Sequence, residues 1–208
     1  MENESFPLSE DLILLSRNRE ALKEDSDLAL YVFQTIEKAK DYTTFFWCLT
    51  NLHNFQTNEA REFAINNIYH FIYSTWHQIP ENIYPLIIDE LFTKIWEDPN
   101  FQDKSYHSNI FKTQNLVAYG LYPNFWPNFF DFLLKLPKPN LYGFLSIFNY
   151  STYNTASTSN RNIDKFMNSC LNDGSQAKIL QVVVNDVFDE IEGAASSLVS
   201  TVEWISLS

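Results

Sequence analysis

Residues 57–78 place apolar side chains at every third or fourth position, which is the spacing of one face of an α-helix. Thr57 is the predicted N-cap, Glu59 favours the positive end of the helix dipole, and Pro80 stops the helix. Similar repeats recur along most of the chain. Gly occupies only 4 of the 208 positions, fewer than the tight turns of a barrel or sandwich normally require. The sequence therefore predicts an all-α fold.

The same periodicity, together with capping residues and Pro stops, predicts a helix in most parts of the chain. Ser9, Asp41 and Pro127 are predicted to start three of these helices, while the polar residues 98–107 and 151–161 are predicted to be loops. The predicted helices span 9–24, 26–39, 41–53, 57–78, 82–96, 109–122, 127–136, 140–150, 162–172, 175–192 and 194–205.

Short connections between consecutive helices predict antiparallel pairs. The predicted pairs are 26–39 with 41–53, 57–78 with 82–96, and 109–122 with 127–136. Their repeat of roughly 40 residues is that of HEAT-type arrays, so we expect an α-solenoid of HEAT-like pairs forming a segment of a right-handed superhelical arch. Residues 1–25 would be an N-terminal extension with a short helix, and 26–208 the array. A non-repetitive helical bundle is the alternative.

The formal net charge of −12 argues against a free-standing nucleic-acid binder, because contacts to phosphates need Lys and Arg. An acidic surface either keeps a protein soluble or meets a basic partner surface. The nearest approach to a basic cluster in the sequence is a set of spread-out lysines that we interpret as a solvated face. These are Lys94, Lys104, Lys112, Lys135 and Lys138.

The sequence favours a soluble protein in a reducing, intracellular compartment. Cys48 and Cys170 lie inside apolar helical patterns, so no disulfide framework is predicted. The first residues, MENESFPLSEDLILL, are acidic where a signal peptide is basic. The longest charge-free stretches, 113–130 and 139–160, are interrupted by Pro or by Asn, Ser and Thr, so no membrane span is predicted.

Motifs of catalysis or metal binding are absent from the sequence: there is no His-Glu-x-x-His, no Gly-rich phosphate loop and no Cys-x-x-Cys. His70 and His77 are expected to share one helix face without an acidic or thiol partner, which is a weak metal signal. His53 and His107 are expected at the surface or at helix ends, as most lone histidines are. We therefore expect no bound metal and no cofactor.

The acidic and thiol side chains also give no converging site in the sequence. The neighbours Asp89 and Glu90 are expected to diverge from their helix, and Cys48 is interpreted as a small core residue. Asp186, like Asp189 and Glu190, is expected on the outer side of its helix. The chain is therefore predicted not to be an enzyme, and no individual partner-binding residue is assigned.

The aromatic-rich run over 108–134, SNIFKTQNLVAYGLYPNFWPNFFDFLL, is the most distinctive part of the chain. It has Asn and Lys early in a helix, Tyr-Pro at the helix end, then Trp, and Phe-Phe-Asp in a second helix. This pattern resembles the exportin signature of importin-β-like transport receptors, here over about 108–136. The matching positions are Asn109, Lys112, Gln114, Tyr122, Pro123, Trp126, Phe129, Phe130, Asp131, Leu133 and Leu134.

The last residues narrow the resemblance to one branch of that family. Residues 198–207, LVSTVEWISL, are similar to a segment of tRNA exportins (exportin-t) that ends in Trp-Ile-Asp-Leu, with Ser206 in place of Asp. The resemblance runs from about residue 26 to the end and covers an N-terminal portion, because members of the family are several times longer. We expect either a fragment or a shortened relative, whose last predicted helix, 194–205, lacks a packing partner.

The resemblance implies a segment of a nuclear export receptor that shuttles between nucleus and cytoplasm past nuclear pore proteins. Such receptors bind Ran in its GTP form together with tRNA, and tRNA binding by this acidic chain alone is expected to be weak or absent. Their first repeats hold Ran through the inner helix of each pair, here 41–53, 82–96 and 127–136. The alternative is a helical-repeat interaction scaffold without a transport role.

Overall fold

The computed structural model describes residues 8–18, 23, 26–101, 107–147, 166, 168–170 and 172–206. All regular secondary structure in these residues is helical, which confirms the all-α class. None of the helices in this part of the chain has the length and hydropathy needed to cross a bilayer. The chain divides into two compact units, Met1–Gln102 and Asp103–Ser208.

In the described residues of the first unit, the predicted N-caps at Ser9, Asp41 and Thr57 are confirmed. Each of these side chains accepts a hydrogen bond from the backbone N–H three residues later. The helices are α1 Glu10–Arg17, α2 Ser26–Lys38, α3 Tyr42–Asn51, α4 Asn58–Thr75, α5 Tyr84–Ile88 and α6 Ile95–Glu97. A π-helical turn at Asp89–Lys94 joins α5 to α6, and 3-10 turns lie at Trp76–Gln78, Glu81–Ile83 and Pro99–Phe101.

Helices α3 and α4 make the most extensive contact in the first unit, and α1 packs against both α2 and α4. The rings of Phe45 and Phe71 stack between α3 and α4, with centroids 4.7 Å apart. This arrangement differs from the predicted pairing of 26–39 with 41–53 and of 57–78 with 82–96. Periodicity marks which helix face is apolar, but it leaves open which neighbour covers that face.

The second unit contains α7 His107–Leu121, α8 Phe129–Leu133, α9 Lys138–Ile147, α10 Ser175–Phe188 and α11 Ala194–Ser206. Helix α9 packs against α7 and α11, and α10 also packs against α11. The expectation that the last helix lacks a partner is therefore wrong. Ala194, Ser197 and Thr201 of α11 are buried, and the Ser197 hydroxyl donates to the Tyr142 carbonyl at 3.1 Å.

Several predicted helix boundaries are wrong. Helix α1 ends at Arg17, not at 24, because the Asn18 N–H bonds back to the Leu15 carbonyl and closes the last turn. Helix α8 follows Asn128 and is shorter than the predicted 127–136, so Pro127 lies in the turn before it. The predicted loop 151–161, residues 102–106 and most of the predicted helix 162–172 lie outside the described residues.

Candidate functional site

The run that resembles the exportin signature forms α7, a turn, and α8 of the second unit. Its aromatic rings meet in one cluster, together with Phe166 from later in the chain. Ring centroids are 5.0 Å apart for Trp126 and Phe129, 4.9 Å for Phe129 and Phe130, and 5.0 Å for Tyr122 and Phe130. Tilted and edge-to-face pairs at such distances are favourable beyond the area they bury. The aromatic part of the resemblance is therefore a packing core that joins α7 to α8.

Most positions that carry the resemblance are turned inward. Gln114 is 1% exposed and Phe129 is fully buried. Asn109 and Lys112 are half-buried near the start of α7, and Asp131 is exposed on α8. Asp131 accepts from the Lys178 ammonium at 2.7 Å. Between the matched positions, Phe125 is 47% exposed.

A cluster of charged side chains surrounds His53 in the first unit. The His53 Nδ1 atom lies 2.9 Å from Oδ2 of Asp98, which makes a hydrogen bond. Its Nε2 atom lies 3.3 Å from Oε2 of Glu90 but is not aligned for a hydrogen bond. The edge of Phe101 packs against the ring at a centroid distance of 5.6 Å. His53 lies just after the end of α3, as expected for a helix-end histidine, and its side chain is only 20% exposed.

The π-helical turn brings Asp89 and Glu90 onto one ammonium group. Both carboxylates lie 2.8 Å from Nζ of Lys94. A π-turn closes hydrogen bonds between residues five positions apart, so Asp89 lies on the same side of the backbone as Lys94. Glu90, four positions before Lys94, lies on that side as well. The predicted divergence of Asp89 and Glu90 is therefore wrong. These hydrogen bonds raise the pKa of the Lys94 ammonium above its ordinary value.

Two carboxylates of the first unit have lowered pKa values. Burial alone would raise the pKa of Asp98, but hydrogen bonds from the Asn100 N–H and the His53 ring outweigh it. The pKa of Glu10 is lowered in the same way, because the Thr57 hydroxyl and the N–H groups of Gln56 and Thr57 outweigh burial. Glu10 thereby connects α1 to the start of α4.

We expect the first unit to lose stability as the pH falls from about 5 to about 3. A carboxyl whose pKa is lower in the folded than in the unfolded state stabilises the fold above its unfolded pKa, and this contribution disappears as the group is protonated. Urea unfolding followed by circular dichroism at several pH values measures the loss. Glu10→Gln should make the free energy of unfolding less dependent on pH. Glu97→Gln, at an exposed position, should leave that pH dependence unchanged. Equal slopes for both variants would contradict this assignment.

Other side chains singled out in the sequence are distributed differently from the prediction. Asp186 is only 15% exposed and accepts from the Lys138 ammonium and the Tyr142 hydroxyl, so its expected outer position is wrong. His77 lies in the 3-10 turn after α4 and does not share that helix with His70. Cys48 and Cys170 are fully buried, and burial raises the pKa of both thiols. Low thiolate content makes them poor nucleophiles.

In the part of the chain that the structure describes, no group of three or more His, Cys, Asp and Glu side chains is arranged to hold a metal ion. Comparison of the chain with protein-family models, with curated proteins and with solved structures gave no match. The interpretation of function therefore depends on the chain's own residues and on the resemblance of the 108–134 run.

Proposed function

We propose that this chain is a segment of a nuclear export receptor, built from HEAT-like helix pairs, that binds Ran in its GTP form and contributes to tRNA export. The observation that carries the proposal is the run over 108–134, whose residues resemble the exportin signature. Its Tyr, Trp and Phe side chains pack α7 against α8. The proposal assigns the chain a binding role and no catalytic step.

The distribution of charge supports a protein partner over direct tRNA binding by this chain. The net charge is −12, and several lysines are already bound to carboxylates. Lys94 pairs with Asp89 and Glu90, and Lys178 pairs with Asp131. Lysines neutralised in this way contribute little to a phosphate-binding surface. An acidic helical surface suits a partner that presents basic side chains.

A pull-down with immobilised chain tests this proposal. Ran loaded with a non-hydrolysable GTP analogue should bind, and Ran loaded with GDP should bind at least about tenfold more weakly, the range of a coupling between two states. Binding should weaken as salt is raised from 50 to 300 mM, roughly in line with screening of surface charge. Added tRNA should change the result little.

Equal binding of the two nucleotide forms, or binding of neither, would contradict the transport proposal. That outcome would favour the alternative, a helical interaction scaffold without a transport role, which predicts no dependence on the nucleotide. The same pull-down therefore separates the two functions.

A further inference from the structure

A groove of about 420 Å³ lies between the end of α2 and one face of α4 in the first unit. Its apolar part contains Phe63 and Ile36. A side pocket of about 90 Å³ lies next to it, lined partly by Lys40 and His70. The larger volume falls within the roughly 300–1,000 Å³ that ligand sites in proteins occupy. The groove thus joins an apolar compartment to a small basic one.

The junction between the helices is held by a partly buried hydrogen bond. The Asn67 side-chain amide on α4 donates to the Ala39 carbonyl at the end of α2, with a distance of 2.6 Å. Both residues line the groove. Because this bond ties the end of α2 to the middle of α4, the groove exists before any ligand binds, which lowers the entropic cost of binding.

The Lys40 ammonium, which lines the groove, is opposite in sign to the net charge of the chain. Lys40 and His70 are exposed, and within the described residues neither side chain forms an ion pair or a hydrogen bond. Lys94, by contrast, is held by two carboxylates. No acidic side chain occurs among the described residues that line the groove. An unpaired ammonium beside an imidazole is a favourable site for a carboxylate.

The groove is elongated along α4. Its lining residues on that helix, from Phe63 through His70 to Tyr73, recur at helical spacing on one side. At 1.5 Å per residue, the distance from Phe63 to Tyr73 along the helix axis is about 15 Å. An extended peptide of about four or five residues, at roughly 3.3 Å per residue, has that length.

We propose that this groove binds an extended segment of a partner protein in which a large apolar side chain is followed two residues later by Asp or Glu, because side chains two positions apart in an extended chain point to the same face. The apolar side chain occupies the compartment of Phe63 and Ile36, and the carboxylate binds between Lys40 and His70. This goes beyond the proposed function, since it names a site and a peptide chemistry that binding of a GTPase does not require. The two proposals can therefore fail separately.

The test is a titration of the ¹⁵N-labelled chain with the peptide acetyl-Gly-Phe-Ser-Asp-Ser-Gly-amide, followed by NMR. Saturable shifts are expected at Asn67 and His70. Peptides with Asn in place of Asp, or with Ala in place of Phe, are expected to bind at least about fivefold more weakly, since each loses one of the two anchors. Equal affinity for the Asp and Asn peptides, or shifts confined to residues outside the groove, would overturn the proposal.

Charge reversal at Lys40 tests the same contact from the side of the protein, and charge reversal at Lys135 is the matched control. Lys40→Glu is expected to weaken binding about tenfold, because it replaces the partner of the carboxylate by a like charge. Lys135→Glu makes the same change at an exposed position that does not line the groove, and it should stay within twofold of the unaltered chain. Ser74→Trp, also at an exposed position, should block the groove. Full binding by both Lys40→Glu and Ser74→Trp, with unchanged circular dichroism, would exclude this site.

Discussion

Replacing Phe129 with Ala is expected to lower the free energy of unfolding of the second unit by about 3–5 kcal/mol. The side chain is fully buried, and its ring lies within 5.8 Å, between centroids, of Trp126, Phe130 and Phe144. Loss of the ring removes apolar contact and leaves a cavity. The surrounding rings are large and rigid, so they are poorly able to close it.

Phe125→Ala is the matched control, because it removes the same side chain four residues earlier in the same run. Phe125 is 47% exposed, so its loss should cost less than about 1 kcal/mol. Urea unfolding of each variant measures its free energy of unfolding. The slopes of the two transitions are compared to check that the change is one of stability. Losses of equal size would show that the aromatic run does not have the packing role assigned to it.

Gly143→Ala is expected to destabilise the chain by about 1–3 kcal/mol, although Ala in a helix is intrinsically favoured over Gly by about 1 kcal/mol. Gly143 lies in α9, where this helix packs against α7. A Cβ atom at this position would be 2.2 Å from Cε2 and 2.3 Å from Cζ of Phe111. Because the Phe111 side chain is itself buried, it has little room to move away.

A double-mutant cycle with Phe111→Leu tests the cause of that loss. The smaller side chain should relieve the clash, so the two changes together should cost less than the sum of their separate effects by about 0.5–3 kcal/mol. Circular dichroism in urea gives all four stabilities. A stabilising effect of Gly143→Ala alone would mean that helix propensity dominates and that α7 and α9 are not in such close contact.

Local features of the fold were predicted well because the forces behind them act within a few residues. The caps at Ser9, Asp41 and Thr57 each involve a side chain and an N–H three positions away. The start of α8 was predicted wrongly at Pro127. Its fixed φ permits a helix start but does not require one, and here the backbone N–H of Phe129 bonds to the Trp126 carbonyl to close a turn first.

The charged cluster around His53 and the groove beside α4 could not be predicted from the sequence. His53 and Asp98 are 45 positions apart, and no periodicity links them. Likewise, Lys40 has no distinguishing neighbour in the sequence, and its place beside His70 depends on how the end of α2 meets α4. The π-turn that directs Asp89 and Glu90 to Lys94 also lacks a local signal.

By itself, the sequence determined the all-α class and the helix starts capped by Ser9, Asp41 and Thr57, because side-chain spacing and capping chemistry act locally. Only the tertiary structure decided that α3 packs on α4, that α11 is covered by α9 and α10, and that Asp186 turns inward. The physical reason is that an amphipathic pattern specifies a face to be buried, while the neighbour that buries it is selected by the packing of shapes and charges distant in the chain.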